Sequence, residues 1–116
     1  MTNKVPDNMM LTPAVAFKNA FASSQIAITA GIVVSVAHGL PTIPSLIHAY
    51  LVCITGEQGY SPGDHAVMPG GAVYQAADNT NVIALVQGTP QVANKSTGTV
   101  ATITLANWKL VVRAWV

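Results

Sequence analysis

Charge is what this sequence has least of. Asp, Glu, Lys and Arg together make up 8% of the chain, against a typical ~25% in soluble domains. From Asn19 to Gly56 there is no Asp, Glu, Lys or Arg at all. A lone domain of this size needs a charged exterior to stay dispersed, and apolar surface without charge marks a surface that a partner covers. A stable homo-oligomer is therefore expected. The cations Lys4, Lys18, Lys95, Lys109 and Arg113 are scattered along the chain. They form no phosphate-neutralising cluster, so nucleic acid is not expected as a direct ligand.

Cysteine is nearly absent too. Cys53 stands alone, which excludes an internal disulfide. Within an apolar strand it is expected to be a buried, inert thiol, in keeping with assembly in a reducing cytoplasm. No apolar run reaches the ~20 residues that a membrane-spanning helix needs, because His38, Gly39, Pro41, Pro44 and His48 interrupt the most apolar stretch. A secretory signal is not expected either: Asp7 follows Lys4, and Thr12, Pro13, Lys18 and Asn19 break the apolar residues beyond. Membrane insertion is thus not expected. Heptads, internal repeats and low-complexity tracts are missing, which excludes a coiled-coil stalk within these residues.

Catalytic and metal-binding patterns are also missing. His38, His48, His65, Glu57 and Asp64 show no HExxH, CxxC or EF-hand spacing. His38, at a strand end before Gly39, is expected to be a satisfied turn histidine. Ser61, Asp64 and His65 lie close in sequence, but no GxSxG elbow accompanies them, and Ser-Pro-Gly-Asp reads as a tight turn. Carboxylate pairs for acid–base work are scarce, since the chain has only four acidic residues. No enzyme activity and no cofactor are expected.

What is present is β-structure, organised around Val33–Ile54, VVSVAHGLPTIPSLIHAYLVCI. This stretch reads as two apolar strands joined by a Pro-punctuated turn. Upstream, residues 1–24 read as an N-terminal arm. Thr12-Pro13 is a helix-start signal, and Ala14, Phe17 and Phe21 follow at helical spacing, predicting a short helix over Pro13–Ala22. Phe17 and Phe21 either plug the arm onto its own domain or reach a neighbouring subunit.

Residues 25–116 read as one β-domain. Ile26, Ile28, Ile32, Val34 and Val36 fall on even positions, with a turn at Ala30-Gly31. Leu46–Ile54 is apolar on both faces, Ile47, Ala49, Leu51 and Cys53 against Leu46, Tyr50 and Val52, with His48 among them. Such a strand is covered by its own core on one side and by a neighbour on the other. Thr55–Gly63 is a loop, Asp64–Met68 a short strand, and Ala72–Ala76 and Val82–Val86 a hairpin around Asp78-Asn79-Thr80-Asn81. Gly88–Gly98 reads as a polar loop, Thr99–Leu105 as an alternating strand, and Trp108–Val116 as the last strand. That last strand carries Trp108, Leu110, Val112, Ala114 and Val116 on one face and Lys109, Val111, Arg113 and Trp115 on the other. The fold class is all-β: an antiparallel sandwich of about six to seven strands with a short N-terminal arm or helix.

The expected oligomer contact is therefore Ile47, His48, Tyr50, Val52, Val111, Arg113 and Trp115, with Phe17 and Phe21 as arm contacts. Tyr60, Asp64 and His65 form a candidate loop for a glycan or protein partner. Exposed Tyr60, His65, Tyr74 and Trp115 offer stacking faces for a sugar, but Tyr and Trp also anchor protein–protein interfaces. Charge depletion calls for covered surface and favours the interface.

The stretch HGLPTIPSLIHAYLVCITGEQGYSPGD, with NWKLVVRAWV at the end, resembles small bacteriophage structural proteins that have an H-type-lectin-like β-sandwich. The matching parts are His38-Gly39-Leu40, the strand Leu46–Cys53, the loop Gly59-Tyr60-Ser61-Pro62-Gly63-Asp64, and Trp108–Trp115. The resemblance covers about Gln25–Val116. It implies trimers on the virion surface, assembled in the host cytoplasm. It also implies contact with a major capsid protein, as in capsid decoration or cement proteins, or with a tail protein. In the tail-fibre setting such modules touch host surface glycans, but no sugar-binding set carries over residue by residue.

Overall fold

The computed structural model describes residues 18–67 and 73–116 and, at Val73, the backbone only. It is an all-β antiparallel sandwich with ten strand segments among the described residues. These are β1 (Ala20–Ala22), β2 (Ile26–Ala27), β3 (Val33–Ala37), β4 (Leu46–Cys53), β5 (His65–Ala66), β6 (Val73–Ala77), β7 (Asn81–Val86), β8 (Gln91–Ala93), β9 (Val100–Thr102) and β10 (Trp108–Trp115). A 3₁₀ turn, Leu105–Asn107, leads into β10. More strands are present than the expected six to seven because β1, β2, β5, β8 and β9 are only two or three residues long. Of these, β5 and β9 fall within expected strands and β2 is the first part of the alternating run Ile26–Val36, whereas β1 and β8 were not expected.

One layer is a five-stranded sheet ordered β1-β10-β4-β5, with β2 also paired to β10. The other layer is the sheet β3-β7-β6, and β8-β9 is a separate hairpin. The last strand is central, between β4 and the β1/β2 edge. Ser23 joins β1 to β2 along that edge: its N–H donates to the Val112 carbonyl at 2.9 Å, and its hydroxyl oxygen accepts from the Val112 N–H at 3.0 Å.

The core lies between the two layers. Ala49, Leu51 and Cys53 of β4 and Trp108, Leu110, Val112 and Ala114 of β10 pack with Val82, Ala84 and Val86 of β7. Period-two alternation puts each set on one side of its strand. Ala66, Val92 and Ile103 close the same cluster, and Phe21, Ile26, Val34, Val36 and Ile47 pack against it.

Three expectations are corrected. Val33–Ile54, read as two strands joined by a turn, does not pair those strands with each other: β3 pairs with β7 in one layer and β4 with β10 and β5 in the other. The segment between them, with Pro41 and Pro44, carries the chain across the core, and proline suits it because it cannot donate to a ladder. Second, the helix expected over Pro13–Ala22 is a strand at Ala20–Ala22; its earlier part lies outside the described residues. Helical spacing is overridden by the open edge of β10, which pairs Phe21 with Ala114 and directs its ring inward. Lys18 and Asn19 N–H groups extend this edge by donating to the Val116 carbonyl at 2.7 and 3.2 Å. Third, the polar stretch Gly88–Gly98 contains β8, whose Val92 is fully buried.

Candidate docking face

On β4 and β10, the side chains pointing away from the core form a second, outward surface. Antiparallel partners share a side of the sheet. The pairs Leu46↔Trp115, His48↔Arg113, Tyr50↔Val111 and Val52↔Lys109 therefore stand on one face. Ala20, Ala22 and Ala27 extend it along the β1/β2 edge, and His65, opposite Val52, extends it on the other side. Among the described residues no strand packs over it.

Aromatic rings cross this face. The His48 and Tyr50 rings stack with centroids 5.6 Å apart, and Tyr50 meets His65 at 4.5 Å. The Arg113 guanidinium carbon lies 5.0 Å from the centre of the Trp115 ring, a cation–π arrangement. Val52 and Val111 sit in the same face at only 5% and 6% exposure, yet neither belongs to the core cluster. The face thus has a small apolar floor of its own. Within it, Arg113 Nε is buried with no acceptor. An unsatisfied buried donor costs about 1–3 kcal/mol.

Six of the seven residues expected as the oligomer contact come together here. Ile47 does not: it alternates to the inner side and packs against the core. Phe21 also packs against its own core, while Phe17 lies outside the described residues.

The loop expected to present Tyr60, Asp64 and His65 as one site is divided. Glu57-Gln58-Gly59-Tyr60 is a tight turn with positive φ at Gln58 (54°) and Gly59 (81°), closed by the Tyr60 N–H donating to the Glu57 carbonyl at 3.0 Å. At Gly59 the positive φ favours glycine, and a Cβ there would crowd Asn94 Oδ1 at 3.2 Å. The turn directs Tyr60 inward, where its hydroxyl donates to the Ala93 carbonyl at 2.8 Å and its ring meets Trp108 edge-on. Asp64 accepts from the Ser61 N–H at 2.9 Å and from Lys95 Nζ at 2.7 Å. Only His65 is outward, on the docking face.

Glu57 is a structural carboxylate that sequence reasoning missed. It accepts from the indole N–H of Trp108 at 2.8 Å and from the Thr104 N–H at 2.9 Å. Partial burial pushes its pKa up and is the largest single influence. The hydrogen bonds from the Thr104 backbone, Trp108, the Thr104 side chain and Asn107 together outweigh it and hold the carboxyl below its ordinary range. Asp64 is lowered by Lys95 and then by the Ser61 N–H; Asp78 is lowered by the Asn81 and Thr80 N–H groups.

His38 is a satisfied turn histidine. Its Nδ1 accepts from the Leu40 N–H at 2.9 Å, which leaves Nε2 to donate to the Asp78 carbonyl at 2.9 Å. Cys53 is buried, and burial above all raises its thiol pKa. Its Sγ donates to the Thr55 carbonyl at 3.3 Å. Such a thiol is a poor nucleophile. Among the described residues no three His, Cys, Asp or Glu side chains come together and no pocket is found.

A further apolar face, on the β3-β7-β6 sheet, was also missed. Val33, Leu85 and Tyr74 align in one row across the strands, and Ser35, Ile83 and Ala76 in the next. Val33 is 59% and Tyr74 56% exposed, and none of these six residues is charged. The signal was present in Asn81–Val86, where Ile83 and Leu85 occupy the positions that alternate with the core residues. Comparison with known protein families, curated proteins and solved structures finds no match to this chain.

Proposed function

We propose that the chain is a structural protein of a bacteriophage particle, a homotrimeric decoration or cement protein that stabilises the shell by burying apolar surface. The observation that carries this reading is that both outer faces of the sandwich are left uncovered by the described residues, and that one of them is free of charge. The resemblance of His38-Gly39-Leu40, the Gly59–Asp64 loop and the final Trp strand to phage surface proteins supplies the particle. A decoration protein needs a contact between copies and a contact with the shell. The Val33–Leu85–Tyr74 face suits the first, because apolar surfaces meet there without stranding a charge. The His48–Tyr50–Arg113 face suits the second. At about 25 cal/mol per Å² of apolar area, even modest contacts repeated over a shell add up, before association costs are subtracted.

The test is to count copies per particle and to heat particles with and without the protein. Hundreds of copies and earlier rupture without the protein are expected; light scattering from the isolated chain should show a trimer. A well-behaved ~12 kDa monomer at micromolar concentration, or equal heat stability of the two particles, would defeat the proposal. The second reading is a glycan-binding tail-fibre module, favoured by the stacked His48, Tyr50 and His65 rings. It predicts a handful of copies and binding on a glycan array.

A further inference from the structure

Lys109 and Arg113 stand on the outer face of the five-stranded sheet, beside Val52 and His48 by register, and no described acidic side chain stands with them. Every described acidic side chain is engaged elsewhere: Glu57 by Trp108 and Thr104, Asp64 by Lys95 and Ser61, Asp78 by Thr80 and Asn81. Lys95–Asp64 is the one ion pair among the described residues. Arg113 also keeps a buried Nε–H without an acceptor while Trp115 flanks its guanidinium. A guanidinium held against an aromatic ring is pre-organised for a carboxylate, since less side-chain freedom remains to be lost on binding.

We propose that this face docks an acidic segment of a different protein, one carboxylate accepting from Arg113 while the apolar part of the segment lies over the His48, Tyr50 and His65 rings. The inference rests on the docking-module reading above and names the chemistry of the partner at this face. A second copy fits less well, because its described acidic side chains are the same three, each already bonded. A neutral sugar would stack on the rings but leave Lys109 and Arg113 without counter-charge. A nucleic-acid backbone calls for a longer row of cations.

The experiment is a ¹⁵N-NMR titration of the full chain with a capped oligoglutamate peptide, with capped oligoglutamine and lactose as the neutral arms. Oligoglutamate should shift Arg113, including its Nε–H, together with Trp115, Tyr50 and Lys109, and added salt should weaken the binding. Arg113→Gln should weaken it about tenfold, the scale of one charge-assisted hydrogen bond. Lys109→Gln should weaken it roughly threefold, the scale of an exposed ion pair, and serves if the first variant does not fold. Shifts gathered around Lys18 and Lys95, no shift on this face, equal binding by the variants, or a stronger response of the face to lactose would overturn the proposal. Copy number and particle stability are measured separately, so failure here is distinct from failure of the particle reading.

Discussion

Replacing Glu57 by Ala removes the acceptor that two parts of the chain share. Its carboxylate takes the Trp108 indole N–H at 2.8 Å and the Thr104 N–H at 2.9 Å, tying the turn after β4 to the entry of β10. The two donors differ in what they lose. Thr104 is exposed and its N–H can turn to water. Trp108 is 1% exposed, with Tyr60 edge-on to its ring, so its N–H would be left without an acceptor. A hydrogen bond to a charged group contributes about 1.5–3 kcal/mol, and a stranded buried donor costs a similar amount. Glu57→Ala is therefore expected to cost about 2–4 kcal/mol. At roughly 4–8 °C per kcal/mol for a domain near this size, that is a fall in melting temperature of about 8–32 °C. Urea unfolding followed by tryptophan fluorescence measures it, with Glu57→Gln as the control. The glutamine keeps an acceptor oxygen and should lose about half as much. A loss below ~0.5 kcal/mol for the alanine variant would refute the argument that this carboxylate holds β10 in place.

The acid side of the stability profile follows from the same group. Glu57, Asp64 and Asp78 all have folded pKa values below their ordinary ones. Their stabilisation is present above the unfolded values, near pH 4, and is lost as pH falls through the folded values. Melting temperature should thus drop below about pH 4, more shallowly in Glu57→Gln; an identical slope in wild type and variant counts against the assignment. His38→Ala strands the Leu40 N–H and the Asp78 carbonyl beneath a residue only 4% exposed. It should cost about 1–3 kcal/mol in urea, and an unchanged midpoint would mean that water replaces the ring. Deleting Trp115 and Val116 removes the carbonyls that accept from Ser45, Lys18 and Asn19 N–H groups and opens the β1 edge. A melting temperature lower by about 10 °C or more is expected; the calorimetric trace of a truncated chain matching wild type would contradict it.

Some of this protein was determined by the order of its residues alone. Period-two apolarity in β4, β7 and β10 fixes which side chains can share a face, because successive Cβ atoms point to opposite sides whatever the strand pairs with. The core residues Leu51, Cys53, Leu110 and Val112 are legible on that ground, as are the β6–β7 turn at Asp78–Asn81 and the satisfied histidine before Gly39. The pairing of strands is not local and was decided only in three dimensions. Nothing in HGLPTIP says that β3 and β4 part into different layers; that depends on β7 and β10, far along the chain, offering each its partner. The same holds for Ala20–Ala22, where an open edge of β10 prevailed over helical spacing. The candidate site divides likewise. Alternation placed His48, Tyr50, Val111, Arg113 and Trp115 away from the core. Only the antiparallel register set His48 beside Arg113 and His65 near Tyr50, and only the Glu57–Tyr60 turn directed Tyr60 inward.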